Sequence, residues 1–197
     1  GAIYPDVRFV RAVALLSEDV IVVLDSVRCE GEHLLDVAFH LQGSWEHLPE
    51  GARWQPPAKR GYSYLSEPTI RPVERAITLS VRQSVGNTLT ATLASDAPFD
   101  LITALGVGKH SEDRVPVLLL RRKSNTLHAV EVLSLKGRRV HAEILSSTPN
   151  GDAAFVARIT LPDGRKRLLA LNPQGTPVQL QTSGGARWRV DGYFGVR

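Results

Sequence analysis

Apolar and polar residues alternate with a period of two through most of this chain, the signature of strands that bury one face. Val7 to Leu16 alternates with Phe9, Val13 and Leu15 on one face, and after Ser17-Glu18-Asp19 the chain returns as Val20 to Arg28. This predicts a hairpin. A loop centred on Glu18 sets residues equidistant from it opposite each other, which brings Arg11 to face Asp25. Both lie on the side that carries Phe9, Val13, Val23 and Val27. A carboxylate in an apolar strand needs a partner, so the pair reads as a partly buried ion pair that fixes register rather than as a catalytic Asp25.

Cys29 to Glu32 reads as a second turn and His33 to Gln42 as a third strand, with Leu35, Val37, Phe39 and Leu41 in the core and Asp36 and His40 on the more polar face. Four residues along a strand separate Asp36 from His40 by about 13 Å. They form no acid/base dyad by themselves. His40 reads as a structural histidine, with a ligand contact as the alternative.

Ala76 to Ala94 predicts another hairpin with its loop centred on Asn87, which opposes Val81 to Leu93 and leaves Thr88, Thr90 and Thr92 on a wetter outer face. Phe99 to Val107 and Val115 to Arg122 follow as strands. Lys123-Ser124-Asn125 reads as a turn into Thr126 to Leu135. Arg139 to Leu145, Ala153 to Leu161, Lys166 to Leu171, Val178 to Gln181 and Ala186 to Phe194 complete the set, with turns at Ser146 to Asp152 and Pro162-Asp163-Gly164. No stretch carries a convincing helical period. The expectation is an all-β protein, a large antiparallel β-sandwich of about ten to twelve strands with essentially no helix, forming a single domain over residues 1–197.

Gly43 to Arg75 departs from this alternation. It is rich in Gly and Pro and holds Trp45, Arg53, Trp54, Lys59, Arg60, Tyr62 and Tyr64. A loop this long in a compact domain is commonly functional or disordered. Aromatic faces beside guanidinium and ammonium groups suit a sugar ring bearing carboxylate or sulfate, because the ring stacks on its C–H face while arginine grips the anion in a bidentate way. These seven residues are the candidate substrate-binding set. The alternative is that the tryptophans plug the end of the sandwich.

Composition narrows the classes further. A net charge of +4 is mild and the basic residues are interleaved with Asp and Glu, apart from a cluster at Arg121, Arg122, Lys123, Lys136, Arg138 and Arg139. That cluster suits a polyanion or a strand edge kept soluble by charge. No aromatic-basic nucleic-acid module, Gly-rich phosphate loop or membrane-length apolar run is present, so neither nucleic acid nor membrane is an expected partner. The single Cys29 excludes an internal disulfide and a cysteine-rich zinc site, and reads as a buried spectator. The absence of methionine and the opening Gly-Ala-Ile-Tyr suggest a fragment of a longer protein.

The segments PDVRFVRAVALL and VIVVLDSVRCEGEHLLDVAFHLQG, with PVLLLRRKSNTLHAVEVLSL and DAAFVARITLPDGRKRLLALN further on, resemble the β-sandwich region of the heparinase II/III-like polysaccharide lyases, a group that includes oligoalginate lyases. The resemblance spans most of the chain in the family's order, as strand patterns rather than an invariant signature. It implies the C-terminal sandwich of a protein that pairs an N-terminal α/α toroid with it and cleaves uronic-acid polysaccharide by β-elimination. Neutralising the uronate carboxylate lowers the barrier to removing the adjacent proton, with Tyr or His as base and acid. The missing toroid and an acidic polysaccharide are then the implied partners, and a periplasmic or secreted location is implied. The family's His-x-His and His-Asn motifs precede this point in its chain and have no counterpart here. No catalytic or metal residue therefore carries over, Tyr4 included. No cofactor is expected in this chain, while a divalent metal belongs to what the resemblance allows for the parent enzyme. A sandwich that is inactive alone, lining the substrate cleft, is the leading expectation; a free-standing carbohydrate-binding sandwich and a structural interaction domain are the alternatives.

Overall fold

The structure is a computed structural model that describes residues 6–48, 50–59, 61–147, 154–182, 185 and 187–197, with backbone alone at 146 and 147. Among these residues it is all-β, with fifteen strands and one 3-10 turn at Tyr62–Tyr64. The strands beyond the expected number are mostly short ones.

Two 21-residue strands organise the fold: β2 (Val20–His40) and β9 (Arg114–Ser134), which pair antiparallel from Val20↔Ser134 to His40↔Val117. Both contain a stretch expected to turn. Cys29 to Glu32 on β2 instead lies opposite Asn125 alone, where the register jumps from Arg28↔Thr126 to His33↔Ser124, and Ser124 and Lys123 stay paired with His33 and Leu34. Each stretch has turn-forming composition, but pairing absorbs the extra residues as a bulge, which bends the sheet instead of ending it. Gly31 takes a left-handed φ of 72° there.

β1 (Val7–Ser17) lies on the free side of the first half of β2, in the expected register from Phe9↔Val27 through Arg11↔Asp25 to Leu15↔Ile21. The other side of β9 is shared. β8 (Phe99–Val107) pairs with its first half and β7 (Thr88–Ser95) with its second half. Beyond β7 come β6 (Ala76–Arg82) and β3 (Ser44–His47), and beyond β8 come β5 (Ser66–Val73) and the two-residue β4 (Ala52–Arg53), giving a nine-stranded sheet. The irregular Gly43 to Arg75 stretch thus holds three strands that its Gly and Pro content concealed.

One face of this sheet packs on itself. Val23, Val27, Leu35, Val37, Phe39, Leu79, Val81, Leu93, Leu101, Leu118, Leu120 and Leu127 form one buried cluster without a second sheet, which requires the sheet to curl into a half-barrel. The opposite, outer face of β2 and β9 packs on a four-stranded sheet, β10 (His141–Ser147), β11 (Phe155–Thr160), β12 (Lys166–Leu171) and β15 (Phe194–Val196). Val22, Leu24, Val130 and Val132 meet Phe155, Ile159, Leu169 and Leu171 there. A small pair, β13 (Val178–Gln181) and β14 (Arg187–Val190), adds a separate cluster around Leu180 and Val190. The turn expected over Ser146 to Asp152 falls mostly outside the described residues.

Three sequence expectations change. The β6–β7 register is Val81↔Leu89 and Ile77↔Leu93, with five residues from Gln83 to Asn87 connecting the strands. The shift from Val81↔Leu93 is even, so the apolar faces survive. Thr90 and Thr92 are buried rather than wet, because their hydroxyls donate to the carbonyls of Arg138 and Val140 (both 2.9 Å), where the chain crosses toward β10. Phe9, Val13 and Leu15 share the face of Arg11 as expected, but on β1 that face is the open lip of the half-barrel, and they are 45%, 65% and 69% exposed. The residues of β1 that pack toward the second sheet are Val10, Ala12, Ala14 and Leu16, while Val7 at its start packs against the half-barrel core.

The Arg11–Asp25 pair forms as expected. Arg11 Nε and Nη2 donate to Asp25 Oδ1 and Oδ2 at 2.6 and 2.8 Å, and Asp25 is wholly buried. Arg11 also rests over the rings of Phe9 and Phe39. Burial raises the Asp25 carboxyl against the pull of Arg11. This side of the sheet holds a second carboxyl, Glu131, whose Oε1 is buried without a hydrogen-bond partner and whose pKa is pushed up to about 8, chiefly by burial.

Candidate functional site

Beyond the edge of the four-stranded sheet, the outer face of β2 and β9 is covered by the segment that follows β4. Asp36 of β2 and Arg121 of β9 are direct cross-strand partners there. Arg121 Nε donates to Asp36 Oδ1 at 2.7 Å and Nη2 to Oδ2 at 2.6 Å, a bidentate pair with side chains only 9% and 14% exposed. The Tyr62 hydroxyl donates to Asp36 Oδ2 and accepts from Arg121 Nη2 at 3.2 Å. The guanidinium lies 4.6 Å from the Trp54 ring centroid and 5.6 Å from that of Tyr62. The two rings meet edge to face at 5.8 Å.

This box stands on an apolar floor of Ile102, Val117 and Leu119, flanked by Leu65 and Ile70. Alternation on β8 and β9 puts those residues on the outer face, while Leu118, Leu120 and Leu101 fill the half-barrel. The covering segment is tied down by β4, where Arg53 pairs with Thr69, and by the Trp54 amide, which donates to the Pro68 carbonyl at 2.9 Å. Burial and the hydrogen bond to Asp36 push the Tyr62 hydroxyl above the ordinary phenol range, so it remains a proton donor at neutral pH. The hydrogen bond to Asp36 likewise raises Arg121, which stays a cation.

The chemistry of the box is structural. Both arginine nitrogens that would grip an anionic ligand are occupied by Asp36. Beside the box, Arg53, Trp54, Gln55, Pro56, Leu65 and Pro68 line an open cleft of about 470 Å³. The half-buried Trp54 is common to box and cleft, so its position at the cleft wall is fixed from behind.

The seven candidate binding residues therefore divide. Arg53 and Trp54 line the cleft, and Tyr62 braces Trp54 from within the box. Lys59 and Tyr64 are exposed, Tyr64 at 66%. Trp45 is elsewhere: on β3 it packs against the half-barrel core and its Nε1 donates to the Ala104 carbonyl at 3.4 Å, the plug expected as the alternative. Arg60 lies outside the described residues, as does Tyr4. His40 is exposed on the same outer face as Asp36, opposite Val117.

Asp36 and Arg121 were not among the expected site residues. Asp36 was recognisable as a carboxylate on a polar strand face, but only the β2–β9 register names its partner. Four of the six residues of the basic cluster form ion pairs: Arg121 with Asp36, Arg122 with Asp96 at 2.7 Å, Lys123 with Glu32 at 3.0 Å and Lys136 with Asp19 at 3.8 Å. Its first three residues, Arg121 to Lys123, do not guard a strand edge, because they lie on β9, which is paired on both sides. Among the described residues no three His, Cys, Asp or Glu side chains gather in a way that could hold a metal ion, and no helix is long and apolar enough to cross a membrane.

No protein-family model matches the chain, and no curated protein does. Among solved structures the fold is similar to that of heparan sulfate lyase HepC from Pedobacter heparinus, with a TM-score of 0.52 and 14% identity over 86% of this chain. A mutant of that enzyme gives a TM-score of 0.51 at 12% identity over the same share. The likeness is one of fold. It covers 24% of the lyase chain, so this chain spans about a quarter of that enzyme's length.

Proposed function

We propose that this chain is the β-sandwich portion of a heparinase II/III-like polysaccharide lyase, which in its complete form cleaves uronic-acid-containing polysaccharide by β-elimination. The observation that carries this reading is the fold likeness over 86% of the chain to one region of a heparan sulfate lyase. The sandwich is not the catalytic element. It lines the substrate cleft and supports the toroid, and the exposed apolar lip formed by Phe9, Val13 and Leu15 is a surface suited to burial against further chain. In this scheme the Arg53–Trp54 cleft is a wall for an acidic polysaccharide: the Trp54 face stacks on a sugar ring and Arg53 meets its carboxylate or sulfate, while Lys59 and Tyr64 extend the wall. Tyr62, Arg121 and Asp36 hold Trp54 in place.

A free-standing carbohydrate-binding sandwich would use the same cleft, and Trp54→Ala tests what the two readings share. Loss of a stacked aromatic removes about 1 kcal/mol or more of binding, a weakening of at least about 5-fold. We expect heparan sulfate oligosaccharide, titrated into the wild-type chain by calorimetry, to bind, and Trp54→Ala to show that weakening in a chain that still unfolds cooperatively, at a lower melting temperature because Trp54 packs on Arg121 and Tyr62. Equal affinity in wild type and variant would remove the cleft from the substrate path.

A further inference from the structure

Where β2 swells into its bulge, a cavity of about 650 Å³ opens beside Asn125 and Thr126 of β9, within the size range of small-molecule sites. The start of β1 and Gln174, in the segment that follows β12, also line it. We propose that this cavity binds a neutral, hydroxyl-rich sugar ring. That the ligand is a sugar rests on the polysaccharide reading above; its place, its neutrality and its hydrogen-bonding character rest on the lining alone.

The lining sets two arginines, Arg8 and Arg28, against two carboxylates, Asp6 and Glu30, and so carries no net charge. Both arginines are already engaged. Arg8 donates through Nη1 to Gln174 Oε1 at 2.6 Å and through Nη2 to the Pro173 carbonyl, and Arg28 has a partner of its own. An ion of either sign entering the cavity would lose hydration without meeting an excess of opposite charge. The groups left open are those of a hydroxyl site. Among the described residues, the carboxylates of Asp6 and Glu30, the side-chain amide of Asn125 and the Thr126 hydroxyl make no hydrogen bond or ion pair. Gln174 uses its oxygen on Arg8 and keeps its amide donors. Carboxylates only accept, amides and hydroxyls both donate and accept, and a sugar ring offers several O–H groups that do both. A hydrocarbon in their place would leave these groups without partners.

The walls are tied together through the fold itself. The Glu30 amide donates to the Asp6 carbonyl at 3.3 Å, and the buried Cys29 thiol donates to the Asn125 carbonyl at 3.4 Å, which fastens the bulge of β2 to β9. The Arg8–Gln174 bond fastens the segment after β12 to β1. The position is also separate from the Trp54 cleft, because Arg28 and Asp36 are eight positions apart on β2, roughly 25 Å along the strand.

Backbone amide NMR of the whole chain tests the proposal, with methyl glucoside as the neutral probe, glucuronate as its anionic counterpart and glycerol as a hydroxylated molecule without a ring. We expect methyl glucoside to shift the amides of Gly31, Asn125 and Thr126 in a saturable way, glucuronate to bind there at least about 5-fold more weakly, and glycerol to leave them unmoved. Glu30→Gln keeps the shape of an exposed side chain but loses a charged acceptor, and is expected to weaken methyl glucoside about 10-fold with the rest of the spectrum intact. Trp54→Ala is expected to leave these shifts unchanged. The proposal is overturned if methyl glucoside leaves the three amides unmoved, if glucuronate binds as tightly, or if Glu30→Gln binds methyl glucoside like wild type. Heparan sulfate oligosaccharide that moves the amides around Trp54, while methyl glucoside moves none of these three, would keep the cleft and remove this subsite.

Discussion

Arg121→Ala is expected to destabilise the protein by about 3–5 kcal/mol, because it leaves the Asp36 carboxylate buried with no cation to balance it. Both side chains are so little exposed that solvent screening reduces the effect only slightly. The substitution also removes the guanidinium that lies against Trp54 and Tyr62, so the covering segment should loosen. Urea unfolding at pH 7 reads the stability, and amide hydrogen exchange over residues 54–65 reads the loosening below the global transition. Tyr62→Phe removes only the hydroxyl and should cost about 1.5–3 kcal/mol, the range for hydrogen bonds to charged groups. A loss below 1 kcal/mol on Arg121→Ala would mean that Asp36 reaches water, and that nothing rigid backs the cleft wall.

Glu131→Gln is expected to act in the opposite direction. The ordinary Glu pKa of 4.5 rises to about 8 in the folded chain, first through burial and further through the Asp25 charge, against the pull of Arg11. Above pH 4.5 the unfolded chain releases this proton while the folded chain keeps it until about pH 8. The unfolded state therefore binds fewer protons across that window, and stability falls as pH rises through it, by about 1.4 kcal/mol per unit and about 5 kcal/mol in all. Glutamine has no proton to lose. The variant should match wild type near pH 4 and exceed it by about 3–4 kcal/mol at pH 7.5, read from urea unfolding at the two pH values. Equal stability at both would show that Glu131 is ionised in the fold and paired with Arg11.

How much of this was legible in the sequence depended on whether local rules were enough. The β1–β2 hairpin register and the Arg11–Asp25 pair followed from one short turn and strict alternation, because a hairpin loop fixes opposed positions. The same rules misplaced two turns. Cys29 to Glu32 and Lys123 to Asn125 have turn composition, and only the β2–β9 pairing, which sets Cys29 to Glu32 against Asn125 as a bulge, carries both strands through. The site was half legible: Trp54, Arg53 and Tyr62 stood out as aromatic and basic residues in an irregular stretch, but Trp45 in the same stretch joins the core. Arg121 was placed in a surface cluster. Its pairing with Asp36 joins residues 85 positions apart and has no local signal.

The proposed role, contact with an acidic polysaccharide without cleavage, is tested most directly by following turnover. The purified chain is incubated with heparan sulfate, heparin, alginate and hyaluronan while the absorbance of unsaturated uronate is recorded. We expect no increase with any of them, alongside saturable binding of at least one that weakens in Trp54→Ala. Steady formation of unsaturated product by this chain alone would contradict it.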